Sequence, residues 1–181
     1  MIRIRRATVE DAEFIVETYR PFVDEHYASF EHTAPDAEEI SKRITDAGDL
    51  YPWLVAEDDA PLAYAYASPH RTRAAYRSSV DTTIYAAPQA RGKGVGKALY
   101  GALFDILTRQ RYVMAFAGIV VPNAASIGIH SAMGFKLIGT YPNVGYKLGA
   151  WRDTQWWGRP LAQPSVPPKD ILTVSFVLDV D

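Results

Sequence analysis

Three glycines at alternate positions, Gly92, Gly94 and Gly96, sit among the basic residues Arg91, Lys93 and Lys97. The residues before them alternate like a strand and those after carry a helical stripe, so the glycines fall where a strand turns into a helix. Unpaired amides and the helix dipole favour an anion at such a terminus, and glycine lets the backbone approach it closely. The chemistry is that of a pyrophosphate cradle. Two common phosphate loops are excluded by the spelling. A nucleoside triphosphate loop needs a glycine where Arg91 stands and Ser or Thr where Ala98 stands. A dinucleotide fingerprint needs G-x-G-x-x-G within a strand–helix–strand unit, and here the third glycine comes too early, after an antiparallel hairpin.

What remains is R-x-x-G-x-G, running from Arg91 through Gly92, Lys93, Gly94 and Val95 to Gly96, after the strand end Ile84-Tyr85-Ala86. This resembles the coenzyme A motif of the GNAT family of N-acetyltransferases. A second stretch, Pro122-Asn123, Ser126, His130 and Gly134-Phe135, has the spacing of that family's P-N-x-x-S-x-x-x-H-x-x-x-G-F motif. The similarity covers about residues 2–157. Within the family the chain is most similar to the phosphinothricin and methionine sulfoximine acetyltransferases, through Tyr51–Glu57, Tyr64–Ala67, Ala75-Tyr76, Val144–Trp151 and Phe30-Glu31.

The resemblance implies acetyl-CoA as cosubstrate and a mixed α/β fold with a central, mostly antiparallel, twisted sheet flanked by helices. It implies that the backbone of Ile84, Tyr85 and Ala86 pairs with pantetheine, and that the amides of Gly92 to Lys97 hold the diphosphate beside Arg91. Asn123 would orient the pantetheine arm, with Ser126 beside it. A backbone N–H near Tyr85 or Ala86 would stabilise the tetrahedral oxyanion.

Acetyl transfer needs a neutral amine, yet α-amino groups titrate near ~8 and lysines near ~10, so a base or water relay must take a proton. Asp81 is one candidate catalytic residue. It shares a strand face with Thr83 and Tyr85, and stands where the phosphinothricin subgroup usually has a glutamate. The shorter side chain favours a bridging water. His130 is the second candidate, on one helical face with Ser126 and suited to protonating the leaving thiolate. His26, His32 and His70 show no metal-ligand spacing, so no metal is expected. For the acceptor, Arg73 and Tyr76, flanked by Arg71 and Arg77, fit an amino acid bearing a carboxylate and a tetrahedral phosphinate or sulfoximine. Phe30 and Tyr27 would close the pocket. The Trp151–Trp157 segment is expected to pack, across a homodimer interface.

These residues need elements to hold them. A strand over 2–7 leads to a helix from Val9 that Pro21 ends, and a second capping pattern opens a helix that stops near Gly48. A hairpin over 53–57 and 62–68 precedes the strand 78–86, the glycine turn and the strongest helix, with Val95, Leu99, Leu103 and Leu107 on its stripe. A strand over 112–120, a helix from Asn123 to Met133, and strands over 135–140, 145–148 and 171–177 follow.

The 181 residues, 48% hydrophobic and 22% charged, suit a globular chain with a sizeable core. The predicted organisation is a catalytic domain over 1–160 with an extension over 161–181 packed on it or on a partner. No cysteine occurs in the sequence, which excludes disulfides and an acyl-cysteine intermediate and points to direct attack in a ternary complex. A net charge of −2 and a pI near 6.1 argue against nucleic acid as a partner. No apolar run approaches the length of a membrane span and no leader pattern opens the chain, so a cytoplasmic location is expected. The expected reaction is acetylation of a small amino-acid-like amine. Acetylation of protein N-termini and a non-catalytic coenzyme A sensor are the alternatives.

Overall fold

Strand β2 (Trp53–Glu57) is apolar at its first four positions, and its alternating side chains feed two separate cores. Leu54 and Ala56 pack with Leu99, Leu103 and Leu107, whereas Trp53 and Val55 pack with Ile15, Val16, Tyr19 and Ile40. A sheet with both faces covered follows from that single run. The computed structural model describes residues 2–178 and shows that arrangement.

Helices α1 (Ala12–Asp24) and α2 (Ala37–Ala47) cover one face. Helices α3 (Val95–Arg109) and α5 (Val174–Leu178) cover the other, and α4 (Ala124–Ala132) lies on that side. The remaining strands are β1 (Arg3–Arg6), β3 (Pro61–Pro69), β4 (Ser79–Ala86), β5 (Met114–Val121), β6 (Lys136–Lys147) and β7 (Ala150–Pro160). They form one seven-stranded sheet in the order β1-β2-β3-β4-β5-β7-β6. Every neighbouring pair is antiparallel except β4 and β5. Those two are parallel and meet only at Ser79–Met114, Val80–Ala115 and Asp81–Phe116; beyond that, both strands continue without pairing to each other.

Four local expectations are corrected. Pro21 lies inside α1, which runs on to Asp24, because buried Tyr19 and Val23 hold the last turn on the core despite the lost N–H donor. The strands expected over 135–140 and 145–148 are one edge strand, β6, with register shifts between Leu137 and Gly139 and between Tyr141 and Gly145. Pro142 is tolerated within the second shift, at the sheet edge. The tryptophan segment is strand β7, inserted between β5 and β6. Finally, the stretch expected as a strand over 171–177 ends in the short helix α5, with Val174 and Val177 buried on the α3 face. Leu161, Ile171 and Leu172 pack on the same core.

Candidate active site

Where β4 and β5 part, a cleft of about 330 Å³ opens. Its walls are Thr82 to Ala86 of β4, Ala117 to Val120 of β5, and Asn123, Ser126, Ile129 and His130 at α4; Arg91 and Gly96 line its end at α3. The strand end, one arginine and one glycine of the loop, and the second motif therefore share one cavity.

The three glycines are required for different reasons. Gly92 and Gly94 have φ of +74° and +73°, with Gly94 at the N-cap of α3, and a Cβ at either would meet nothing within 4 Å. Glycine is needed there for backbone conformation, not for room. At Gly96 a Cβ would come within 2.7 Å of Ile129 Cδ1, so this glycine permits α3 and α4 to approach. Ala98 N donates to Gly94 O, which leaves the amides of Val95, Gly96 and Lys97 without an acceptor in the helix. Gly92, Lys93, Gly94 and Lys97 are exposed at this end, and Val95 is buried beneath it.

Asn123 caps α4, its Oδ1 accepting from Ser126 N at 3.0 Å. His130 is 4% exposed. Its Nδ1 lies 2.7 Å from the Ser126 carbonyl and must donate to it, so Nε2 accepts from the Tyr100 hydroxyl at 3.0 Å. Burial pulls its pKa below the usual histidine value, against the opposing pull of the Ser126 carbonyl. His130 is thus a neutral ring with both nitrogens engaged.

Asp81 lies on the opposite face of the sheet. Val80 and Ile84 point into the α3 core and Tyr85 into the α1 core, where it packs on Tyr19 and Phe22, which puts Asp81 on the α1 side by alternation. Its Oδ1 is 2.6 Å from His70 Nδ1. Burial raises its pKa above the ordinary carboxylate value, with His70 and Arg71 opposing. The His70 ring stacks on Phe116 at 4.3 Å and meets Trp156 and Tyr76 edge-on. Sequence reasoning passed over His70. The β3–β4 register, which pairs Ser68 with Asp81, brings it there from just past the end of β3.

The expected acceptor residues are only partly gathered. Tyr76 reaches His70, with ring centroids 6.0 Å apart, while Arg73 is exposed just before the 3-10 turn Ala74–Tyr76, its carbonyl accepting from Tyr76 N at 2.9 Å. Phe30 packs on Gly145 of β6 so closely that a Cβ there would lie 2.4 Å from its ring. Tyr27 donates to the Pro122 carbonyl at 2.7 Å and lies under the Arg152 guanidinium. The buried Lys147 was not anticipated. It donates to the carbonyls of Ser29 and Glu31, so β6 fixes the 27–31 segment. On β7, Arg152 Nε, Thr154 Oγ1 and Trp156 Nε1 are buried without a hydrogen-bond partner among the described residues.

Comparison with known proteins identifies the family. Residues 4–156 match the model of the acetyltransferase (GNAT) domain. The chain is 36% identical over 165 residues to a phosphinothricin N-acetyltransferase of Streptomyces coelicolor, covering 88% of this chain and 96% of that one. It is 37% identical over 153 residues to an L-methionine sulfoximine/L-methionine sulfone acetyltransferase of Pseudomonas aeruginosa, covering 83% and 89%. A phosphinothricin acetyltransferase from Sinorhizobium meliloti, solved in complex with AcCoA, superposes with a TM-score of 0.86 at 36% identity, covering 96% of this chain and 98% of that one. With the sheet, the parted strands and the two motifs in place, the chain belongs to the GNAT acetyltransferase family.

Proposed function

We propose that the cleft binds acetyl-CoA and that the chain, acting in the cytoplasm, transfers the acetyl group to the amine of a small amino-acid-like acceptor of the phosphinothricin or methionine sulfoximine type. The observation that carries this is the separation of β4 from β5 beyond Asp81 and Phe116, which joins the glycine turn and the α4 wall in one cavity. The amides at Gly94–Lys97, with Arg91, Lys93 and Lys97 at the rim, hold the diphosphate. Pantetheine then runs along the unpaired edge of Ile84, Tyr85 and Ala86, past Asn123 and Ser126 at the α4 cap. Backbone amides at Tyr85 or Ala86 polarise the thioester carbonyl.

The amine attacks from the α1 face, the C–N bond forms, and the C–S bond breaks. Asp81 and its partner occupy that face, where the amine's proton must go. His130 stands across the sheet, at the α4 wall beside the departing thiolate. With its donor on Ser126 and its acceptor on Tyr100, it holds that wall in place, and we assign it positioning instead of free proton donation.

For the acceptor, the exposed loop bearing Arg71, Arg73 and Tyr76 supplies cations for a carboxylate, and Phe30 and Tyr27 supply the apolar wall. The relatives named for phosphinothricin and methionine sulfoximine support an acceptor of that size and charge. Release of coenzyme A thiol with L-phosphinothricin, L-methionine sulfoximine and a peptide N-terminus as acceptors tests the reading. Turnover of the first two is expected. Turnover of the peptide alone would point to protein N-termini, and acetyl-CoA binding without turnover would point to a sensor.

We also propose a homodimer through β6. This strand is a sheet edge, and Leu137, Ile138, Val144 and Tyr146 on it, with Trp151 beyond its turn, are each at least half exposed. A second copy of the chain would cover them. Analytical ultracentrifugation should give twice the chain mass, and Ile138→Lys should return the monomer.

A further inference from the structure

We propose that His70, held by Asp81, is the base that takes the proton from the acceptor amine, and that Asp81 is its positioning residue. This rests on the acetyltransferase reading above. The carboxylate that sequence singles out is already committed: Asp81 Oδ1 lies 2.6 Å from His70 Nδ1. A carboxylate this close fixes the proton on Nδ1 and leaves the Nε2 lone pair as the free base of the pair. His70 Nε2 has no hydrogen-bond partner among the described residues, unlike His130, whose two nitrogens are both engaged.

The ring is held in place on several sides. It stacks on Phe116 at 4.3 Å, and Tyr76 and Trp156 stand edge-on to it at 6.0 and 5.8 Å. Phe116 is the last residue of β5 paired to β4, so the dyad lies on the α1 face at the last pairing of the two strands, and Thr82 and Ala117, the next residue on each, line the cleft. The pairing also accounts for an aspartate at position 81: the side chain has to reach a histidine beside it, not the amine itself.

Among the described residues, the charged and titratable groups facing the ring are Asp81 from β4, Arg71 next to it in the chain, and Tyr76 from the 3-10 turn, while β5 and β7 present the Phe116 and Trp156 rings. In the reaction the ammonium of the acceptor gives one proton to His70 Nε2, and Asp81 stabilises the imidazolium. The free amine forms the C–N bond to the thioester carbonyl carbon, and the C–S bond breaks. Of the two protons then on the new amide nitrogen, one passes to the thiolate and the other stays on the amide, and His70 returns its own proton to solvent.

Two measurements test this. Steady-state release of coenzyme A thiol from acetyl-CoA, with L-phosphinothricin or L-methionine sulfoximine, is followed against pH for the parent, His70→Gln, His70→Phe and Asp81→Asn. Both His70 variants should lose about 100-fold or more in kcat. Acetyl-CoA affinity, measured by calorimetry, should stay within about twofold in all three variants. The acidic limb of the kcat/KM profile should differ from the parent's in both His70→Gln and Asp81→Asn, since one variant lacks the ring that takes the proton and the other the carboxylate that holds it. His70→Phe keeps an aromatic ring against Phe116 and so separates loss of the base from loss of packing. A His70→Gln enzyme within about threefold of the parent, with the limb intact, would overturn the proposal and return the proton to Asp81.

The second measurement needs no turnover. Nitrogen-15 NMR of the neutral ring should show the proton on Nδ1, and finding it on Nε2 would overturn the dyad. Failure of the parent to bind acetyl-CoA would count against the acetyltransferase reading, while the tautomer would still decide the His70–Asp81 assignment.

Discussion

Asp81 of β4 and Phe116 of β5 are the last two residues paired across the parallel strands, and the cleft opens directly beyond them. One pairing thus does two things. It fixes where the sheet opens, and it sets the ring on which His70 stacks beside its carboxylate partner. The glycine turn lies at the other end of the same strand, so cradle and acid–base pair are separated by the length of β4 beyond Asp81.

The glycine turn gives the first prediction. Gly94→Ala forces an L-residue into the left-handed region at the α3 N-cap, a cost of about 1–2 kcal/mol. The variant should melt at lower temperature and bind acetyl-CoA about tenfold more weakly, since the strain falls on the amides that hold the diphosphate. Gly96→Val should instead fail by collision with Ile129, and Ile129→Ala in the same chain should restore part of its melting temperature.

How far the site could be read in advance follows from what is local. The strand 79–86, its turn and α3 lie within one continuous stretch whose alternation and glycines show on their face, and the α4 motif is equally local. The pairing of His70 with Asp81 depends on the register of a long hairpin, and a one-residue slip would have put Asp81 on the other face of the sheet. No spacing in the sequence reports that register. Strand β7 was missed because three tryptophans read as packing, while the pairing that makes them a strand is with β5 and β6 on either side. The apolar run ending at Val177 fits helix and strand alike, and contact with α3 decides it.

Lys147 gives the second prediction. Its ammonium bonds the carbonyls of Ser29 and Glu31, and burial lowers its pKa, with Asp24 and Glu31 opposing. Charge-assisted bonds of this kind contribute about 1.5–3 kcal/mol each. Lys147→Met should loosen the segment carrying Tyr27 and Phe30, and raise the acceptor KM about tenfold. Acetyl-CoA affinity should stay as in the parent, since none of these groups faces the diphosphate; an equal loss for both ligands would contradict this.

At the α4 wall, Tyr100→Phe removes the donor to His130 Nε2 and leaves a buried acceptor unpaired, at about 1–3 kcal/mol. Thermal unfolding should report that loss. His130→Ala should raise the KM for acetyl-CoA more than it lowers kcat, and leave the acidic limb of the pH profile where it is. Disappearance of that limb would make His130 a proton carrier.

Acid stability is set far from the cleft, where Asp11 accepts two bonds from Arg5 and one from Thr8 N. Burial pushes the Asp11 carboxyl up, but these bonds outweigh it and hold its pKa below the usual value. A depressed folded pKa contributes stability at neutral pH that is lost as pH falls from about 4 through the folded value. Asp11→Asn should lose about 2 kcal/mol at pH 7, less than a fully buried pair because Arg5 is a quarter exposed. Its stability should also fall less steeply in acid, as urea titrations at several pH values would show.

The most direct test of the cleft is calorimetric titration of acetyl-CoA into the full chain, alongside dephosphorylated pantetheine, which lacks the diphosphate. Saturable binding of acetyl-CoA that pantetheine fails to match, and that weakens in Gly94→Ala, is the expected result. No heat of association with acetyl-CoA, or equal binding of both compounds, would contradict an amide cradle at the α3 terminus.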